Sequence, residues 1–197
     1  MAIKEPILLE LPLPIITNRL TIRPVMPGDG SIVFDMLEES RQELQYWFSW
    51  VKNVSSIEDC EKTARIFYAD FILKKELNFL IFKDLRLIGN CSFHDLNFAI
   101  PAASIGYYLR SSEQRKGYMY EAIKELVLYG FNIIGFKKLL IICNKKNTRS
   151  TLLAQKLGFE LEMEAKGLLP NAPGIDNESN SLQVSLLYAR YDTNGLA

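Results

Sequence analysis

Ile105-Gly-Tyr-Tyr-Leu-Arg110, then Ser-Ser-Glu113, then Gln114-Arg-Lys-Gly-Tyr-Met119 is the stretch on which the reading of this chain turns. Ser104 to Leu109 is apolar and strand-like, and Met119, Ala122, Ile123, Leu126, Val127 and Phe131 recur at the spacing of one helix face. The residues between them form a polar link from a strand to a helix N-terminus. Such a junction presents unpaired backbone N–H groups at the positive end of a helix dipole, where a phosphate binds. Arg115 and Lys116 add positive charge, and Gly117 permits close backbone approach. Neither GxGxxG nor GxxxxGK[ST] occurs, so a dinucleotide or a nucleoside triphosphate is not indicated.

Outward from this stretch the chain alternates. Leu20 to Val25 reads as a strand ended by Pro24 and the turn Pro27-Gly28-Asp29. Ser55 with Glu58 has the capping-box pattern, and the helix it opens should run to about Lys75. Leu77 to Phe82 and Leu87 to Phe93 form an antiparallel hairpin across a short polar turn. Leu139 to Ile142 is a continuous apolar run, as in a strand buried on both faces. Asn147 starts a short helix that stops at Gly158. Phe159 to Glu164 and Leu182 to Tyr188 are the last strands, separated by a long Pro/Gly/Asn-rich loop from Gly167 to Ser181. One domain spanning 1–197 is expected.

The 197 residues hold 23 Lys+Arg and 23 Asp+Glu, with 48% apolar residues. A disordered chain or a nucleic-acid binder that relies on basic excess is therefore not expected. The neutrality is segregated: Arg110 to Phe159 carries 10 basic and 3 acidic residues, and the remainder carries 13 and 20. A basic half suits an anionic ligand and an acidic half a cationic one. Cys60, Cys91 and Cys143 form no CxxC pair and read as reduced buried thiols. A single histidine, His94, excludes a multi-histidine metal site. The N-terminus lacks a basic n-region, and the longest run free of charged residues is 14 residues, Leu96 to Leu109, too short for a bilayer. A soluble cytoplasmic protein without a metal is expected.

Taken in order, Thr17-Asn-Arg-Leu-Thr-Ile-Arg-Pro24, Ile88-Gly-Asn-Cys-Ser-Phe-His94, Ile105-Gly-Tyr-Tyr-Leu109, Gln114-Arg-Lys-Gly117, Asn147-Thr-Arg-Ser150, Lys156-Leu-Gly-Phe159 and Leu187-Tyr-Ala-Arg190 resemble the GNAT acetyltransferases. Within them the pattern is similar to ribosomal-protein N-terminal acetyltransferases of the RimJ/RimL type. The resemblance covers nearly the whole chain. It implies an α+β fold, a mixed α/β architecture with a central, mostly antiparallel twisted sheet of about seven strands, a splayed parallel pair and helices on both faces. The splayed strands would be Tyr107–Leu109 and Leu139–Cys143.

The resemblance also implies acetyl-CoA as co-substrate. Its pyrophosphate loop falls on Gln114, Arg115, Lys116, Gly117, Tyr118 and Met119, where Met119 replaces the usual small residue, and Tyr108, Leu109, Arg110, Asn147 and Ser150 complete the cofactor contacts. A backbone N–H near Leu109 would polarise the thioester carbonyl. Ser150 is the implied partner of the leaving sulfur and Glu162 the implied base, with Met163 replacing the family's glycine after it. Asn147 reads first as a helix cap, which can also touch the cofactor, and Glu162 reads alternatively as an exposed strand residue. Trp47, Trp50 and His94 are implied acceptor contacts; core packing for the tryptophans and a structural hydrogen bond for His94 are the alternatives. The reaction implied is direct acetyl transfer to an amine, in particular the N-terminal α-amine of a ribosomal or other protein. Small amines such as polyamines, amino acids or aminoglycosides are the alternative acceptors. An idle CoA-binding regulatory module is the alternative from another class. The chain would act alone or as a homodimer, off membranes and without nucleic acid.

Overall fold

A computed structural model describes residues 5–170, 172 and 182–196. Most of the predicted 167–181 loop lies outside these residues. The elements run β1 (Ile15–Ile16), β2 (Thr21–Pro24), α1 (Gly30–Trp47), α2 (Ile57–Ile72), β3 (Leu77–Lys83), β4 (Arg86–Asn97), β5 (Ala102–Leu109), α3 (Tyr118–Tyr129), β6 (Lys138–Asn144), α4 (Thr148–Lys156), β7 (Glu160–Lys166) and β8 (Val184–Arg190). They form one eight-stranded sheet in the order β1-β2-β3-β4-β5-β6-β8-β7. The strand beyond the expected seven is the two-residue β1, too short to leave a period in the sequence. Every neighbouring pair is antiparallel except β5–β6.

Local signals account for most boundaries. Ser56, not Ser55, caps α2: its hydroxyl accepts from Asp59 N–H, while the Asp59 carboxylate accepts from the N–H groups of Ser55 and Ser56. The predicted box is thus displaced by one residue, because a carboxylate at Asp59 reaches back to both serine amides. α1 has no side-chain cap; its preceding Asp29 is held by Arg23 in a bidentate pair at 2.7 Å. β6 alternates buried and half-buried positions, with Leu139, Ile141 and Cys143 inward. The expectation of burial on both faces fails there because the strand is partly uncovered where it parts from β5.

The period-2 alternation of β3, β4 and β5 divides the interior in two. Phe79, Ile81, Cys91, Phe93 and Ile105 point to one face and pack under α3 and α4 with Ile123, Leu126 and Leu157. Leu80 and its neighbours point to the other face, where Met36, Leu37 and Leu44 of α1 and Cys60 and Ala64 of α2 cover them. On that second face β4 presents Asn90, Ser92 and His94 instead of apolar side chains. The sheet is therefore a sandwich centre with one wholly apolar side and one side that carries a polar strip.

Candidate active site

The parallel ladder between β5 and β6 is brief. It pairs Ala102 to Ser104 with Lys138 to Leu140 and then stops, so the strands part toward their C-terminal ends. At the end of β5, Arg110 N–H bonds Ile88 O at 2.7 Å. Bonded and non-bonded positions alternate along an antiparallel pair. The N–H groups of Tyr108 and Gly106 therefore face β4, and those of Leu109 and Tyr107 face the gap that β6 has vacated.

Below the gap lies a cavity of about 360 Å³. Tyr108, Leu109, Gln114, Arg115, Gly117, Tyr118, Met119, Asn147 and Ser150 line it, together with Tyr107, Glu43, Leu44, Trp47, Phe48 and Arg149. Gly117 caps α3 in the left-handed region at φ 82°, a conformation that costs a residue with a Cβ and none to glycine. The first helical bond is from Glu121 N–H to Gly117 O, so the amides of Tyr118, Met119 and Tyr120 precede the ladder and lie at the positive end of the dipole. Arg19 braces the loop from behind. Its guanidinium donates to Lys116 O at 3.2 Å and to Glu121 at 2.6 Å, and it stacks on the Tyr118 ring.

Several polar side chains along this cavity are already paired. Glu43 accepts from Ser111 Oγ and Gln114 Nε2, both at 2.9 Å, and its other oxygen meets Arg149 at 2.5 Å. Arg149 also donates to the Gln114 carbonyl. Burial alone would raise Glu43, but these hydrogen bonds, led by Arg149, hold its carboxyl below the usual range. Asn147 is the N-cap of α4 and accepts from Ser150 N–H at 3.2 Å. Ser150 Oγ lies 2.8 Å from the Tyr107 hydroxyl. Burial pushes the Tyr107 phenol well above its ordinary value, so it stays protonated and can donate.

A second cavity, about 560 Å³, lies between α1, α2 and the polar strip of the sheet. Trp50, His94, Cys60, Asp59, Asn78, Asn90, Ser92 and Gly106 are in its wall. Phe48, Tyr107 and Tyr108 belong to both cavities. There the rings of Phe48, Trp50 and Tyr108 cluster at centroid distances of 5.8–6.2 Å. The Cys60 thiol is pushed up to about 11 by burial and offers no thiolate nucleophile.

Four sequence-predicted residues fall elsewhere. Trp47 lines the first cavity, not the second, because α1 ends there and turns Trp47 and Trp50 to opposite sides. Arg110 is buried and bonds Leu87 O, Glu39 and Asp35, which ties the end of β5 to α1. The Lys116 side chain pairs with Glu113 at 2.9 Å and is not in the cavity wall. Glu162 is in neither cavity wall. It sits on the edge strand beside the first residue of β6, bonded to Lys138 at 2.7 Å and to the Tyr191 hydroxyl. Those bonds, Lys138 foremost, depress its basicity. It thus lies at the closed end of the β5–β6 pair, away from the gap. Conversely, Tyr107, Glu43 and Arg149 are site residues that the sequence reading passed over; only the period-2 alternation that separates Tyr107 from Tyr108 hinted at the first.

The profile described as acetyltransferase (GNAT) domain matches residues 19–160. The chain belongs to the GNAT acetyltransferase family. Among curated GNAT relatives, the ribosomal-protein-serine acetyltransferase of Escherichia coli K12 is 26% identical over 178 residues, covering 89% of this chain and 94% of that protein. An N-acetyltransferase of Bacillus subtilis 168, YoaA, is 29% identical over 148 residues, covering 74% of this chain and 82% of the other. Among solved structures, RimL, a ribosomal L7/L12 alpha-N-protein acetyltransferase in complex with coenzyme A, superposes with a TM-score of 0.82 at 22% identity, covering 90% of this chain and 97% of that one. This GNAT chain is an acetyltransferase, and acetyl-CoA is its donor. The site fits that donor: free amides at a helix start suit a pyrophosphate, and the gap with two inward N–H groups suits an extended amide-bearing arm.

Proposed function

We propose that this acetyltransferase transfers the acetyl group directly to the N-terminal α-amine of a ribosomal or other protein. The observation that carries the reading is that the two cavities meet at Phe48, Tyr107 and Tyr108, so donor and acceptor reach one boundary from opposite sides. When bound, acetyl-CoA supplies an activated acetyl thioester. The amides of Tyr118, Met119 and Tyr120, with Arg115, hold its phosphates. The N–H of Leu109 or Tyr107 in the gap faces the carbonyl oxygen, where negative charge develops during attack. The Tyr107–Ser150 hydroxyl pair supplies a proton to the departing sulfur. A thiol of reference pKa about 8.5 leaves readily, so this help need only be modest.

The acceptor must attack as a free amine. An α-amine of pKa about 7.7–8.0 is neutralised at pH 7 for about 1–1.4 kcal/mol, whereas a lysine near 10.4 costs about 4.6 kcal/mol. His94, partly exposed in the acceptor cavity, is positioned to pass the proton to solvent, and Glu162 is not. The reading takes acetyl-CoA and a protein N-terminus as partners, with no nucleic acid. A cytoplasmic site of action is part of the proposal; among the described residues no helix is long and apolar enough to cross a membrane. The test is release of free CoA thiol on a parallel panel of peptide N-termini and small amines. Turnover confined to peptide α-amines is expected. Turnover of small amines alone would remove the peptide reading, and CoA binding without any turnover would leave a regulatory module.

A further inference from the structure

Asn90 and Ser92 are more than nine-tenths buried, at 7% and 8% exposure, on the face of β4 that floors the acceptor cavity. Neither side chain has a hydrogen-bond partner among the described residues, although Asn78 beside them is bonded to Glu76 at 3.1 Å. Their polar atoms open onto the cavity and are not sealed in the core, so an occupant that displaces water from them must supply matching donors and acceptors or leave them unmatched at a cost. Gly106, directly opposite Ser92 on β5, keeps that space open: a Cβ there would come within 3.1 Å of Ser92 Oγ and 3.2 Å of the His94 ring.

The rest of the wall restricts the occupant. Val25, Val33, Leu37, Phe67 and Leu80 make it apolar. Asp59 is its one carboxylate among the described residues, and one of its two oxygens, Oδ2, already accepts from Ser55 and Ser56 in the helix cap. A polyamine brings several ammonium groups into a wall whose charged residues are one acid, Asp59, and one base, Lys62, and its N–H groups leave the Asn90 N–H donors unmatched. A polyhydroxylated amine would bury its hydroxyls against the apolar wall. A peptide unit has one donor and one acceptor, the complement of a carboxamide with a hydroxyl beside it.

We propose that Asn90 and Ser92 bind the first peptide group of the acceptor, and so select an amine followed by an amide in place of a polycation. This rests on the N-terminal acetyltransferase reading above. The test compares wild type with Asn90→Ala and Ser92→Ala on three probes: a short peptide amide, the same peptide with its first amide replaced by an ester, and an alkylamine of matching length. Wild type should prefer the peptide. Each variant should raise KM for the peptide about tenfold, the effect of one lost hydrogen bond to a buried group. KM for the alkylamine and affinity for acetyl-CoA should stay unchanged, and the retained affinity also reports that the variants fold. Equal loss on peptide and alkylamine, or none on either, overturns the assignment while leaving the enzyme reading intact. Absence of peptide turnover by wild type overturns both.

Discussion

The two cavities that meet at Tyr107 and Tyr108 are prepared in opposite ways. Around the cofactor cavity a set of polar side chains is paired before any ligand arrives: Glu43, Gln114, Arg149 and Ser111 bond one another, and Asn147 caps α4. In the acceptor cavity Asn90 and Ser92 are left open. The first arrangement suits a ligand held mainly by backbone amides, with side chains that exchange partners when the phosphates enter. The second suits a ligand that completes the hydrogen bonding itself, where a mismatched group is penalised and selectivity follows.

The largest effect should come where the two regions touch. Tyr107→Phe removes the hydroxyl partner of Ser150 and is expected to lower kcat by about tenfold, the modest help that a good leaving group needs, with little change in acetyl-CoA affinity. Single-turnover kinetics beside equilibrium CoA binding separate the two. An unchanged kcat would remove the hydroxyl pair from the chemistry.

Next in size is the clasp that keeps α1 against the end of β5. Burial tends to raise Glu39, but hydrogen bonds from Ser112 and Arg110 pull its carboxyl down to about 2. A depressed carboxylate contributes stability that is present above its unfolded value near 4.5 and is lost as pH falls toward 2. Glu39→Gln should therefore melt below wild type at pH 7, and the difference should shrink at pH 3. A constant difference in thermal melting would assign the loss to packing instead of charge.

A smaller effect sharpens the contrast between the cavities. Glu43→Gln frees Arg149 for the incoming phosphates, and acetyl-CoA should bind about two- to fivefold more tightly at low salt, with the gain fading at high salt. Calorimetry at two ionic strengths checks it; weaker binding would mean that Glu43 organises the site. The smallest expectation concerns Glu162→Gln. With its carboxylate engaged by Lys138 and Tyr191 outside both cavities, kcat/KM should stay within about twofold, as for surface changes generally. A drop that grows toward low pH would return Glu162 to the reaction.

Much of this was legible in the chain. Period-2 and helical spacing placed β3, β4, β5 and α3, because each pattern is set by neighbours a few residues apart. The strand–polar loop–helix junction between β5 and α3 was legible for the same reason. Asn147 as a cap, with Ser150 three residues on, was likewise local. The α2 cap slipped by one because two adjacent serines and two adjacent acids satisfy the same pattern.

The sequence by itself determined the element types, the polar strand-to-helix junction at Gln114–Met119, the segregation of basic residues around it and the membership in an acetyltransferase family. Only the tertiary structure decided which distant side chains meet. Tyr107 reaches Ser150, and Glu43 reaches Arg149, only because β6 lies beside β5 and then parts from it. The order β6-β8-β7 carries Glu162 to the sheet edge, although its motif reads as a site residue. Local patterns are written in residues that are neighbours along the chain, whereas these contacts depend on strand order and splay, which no short stretch encodes.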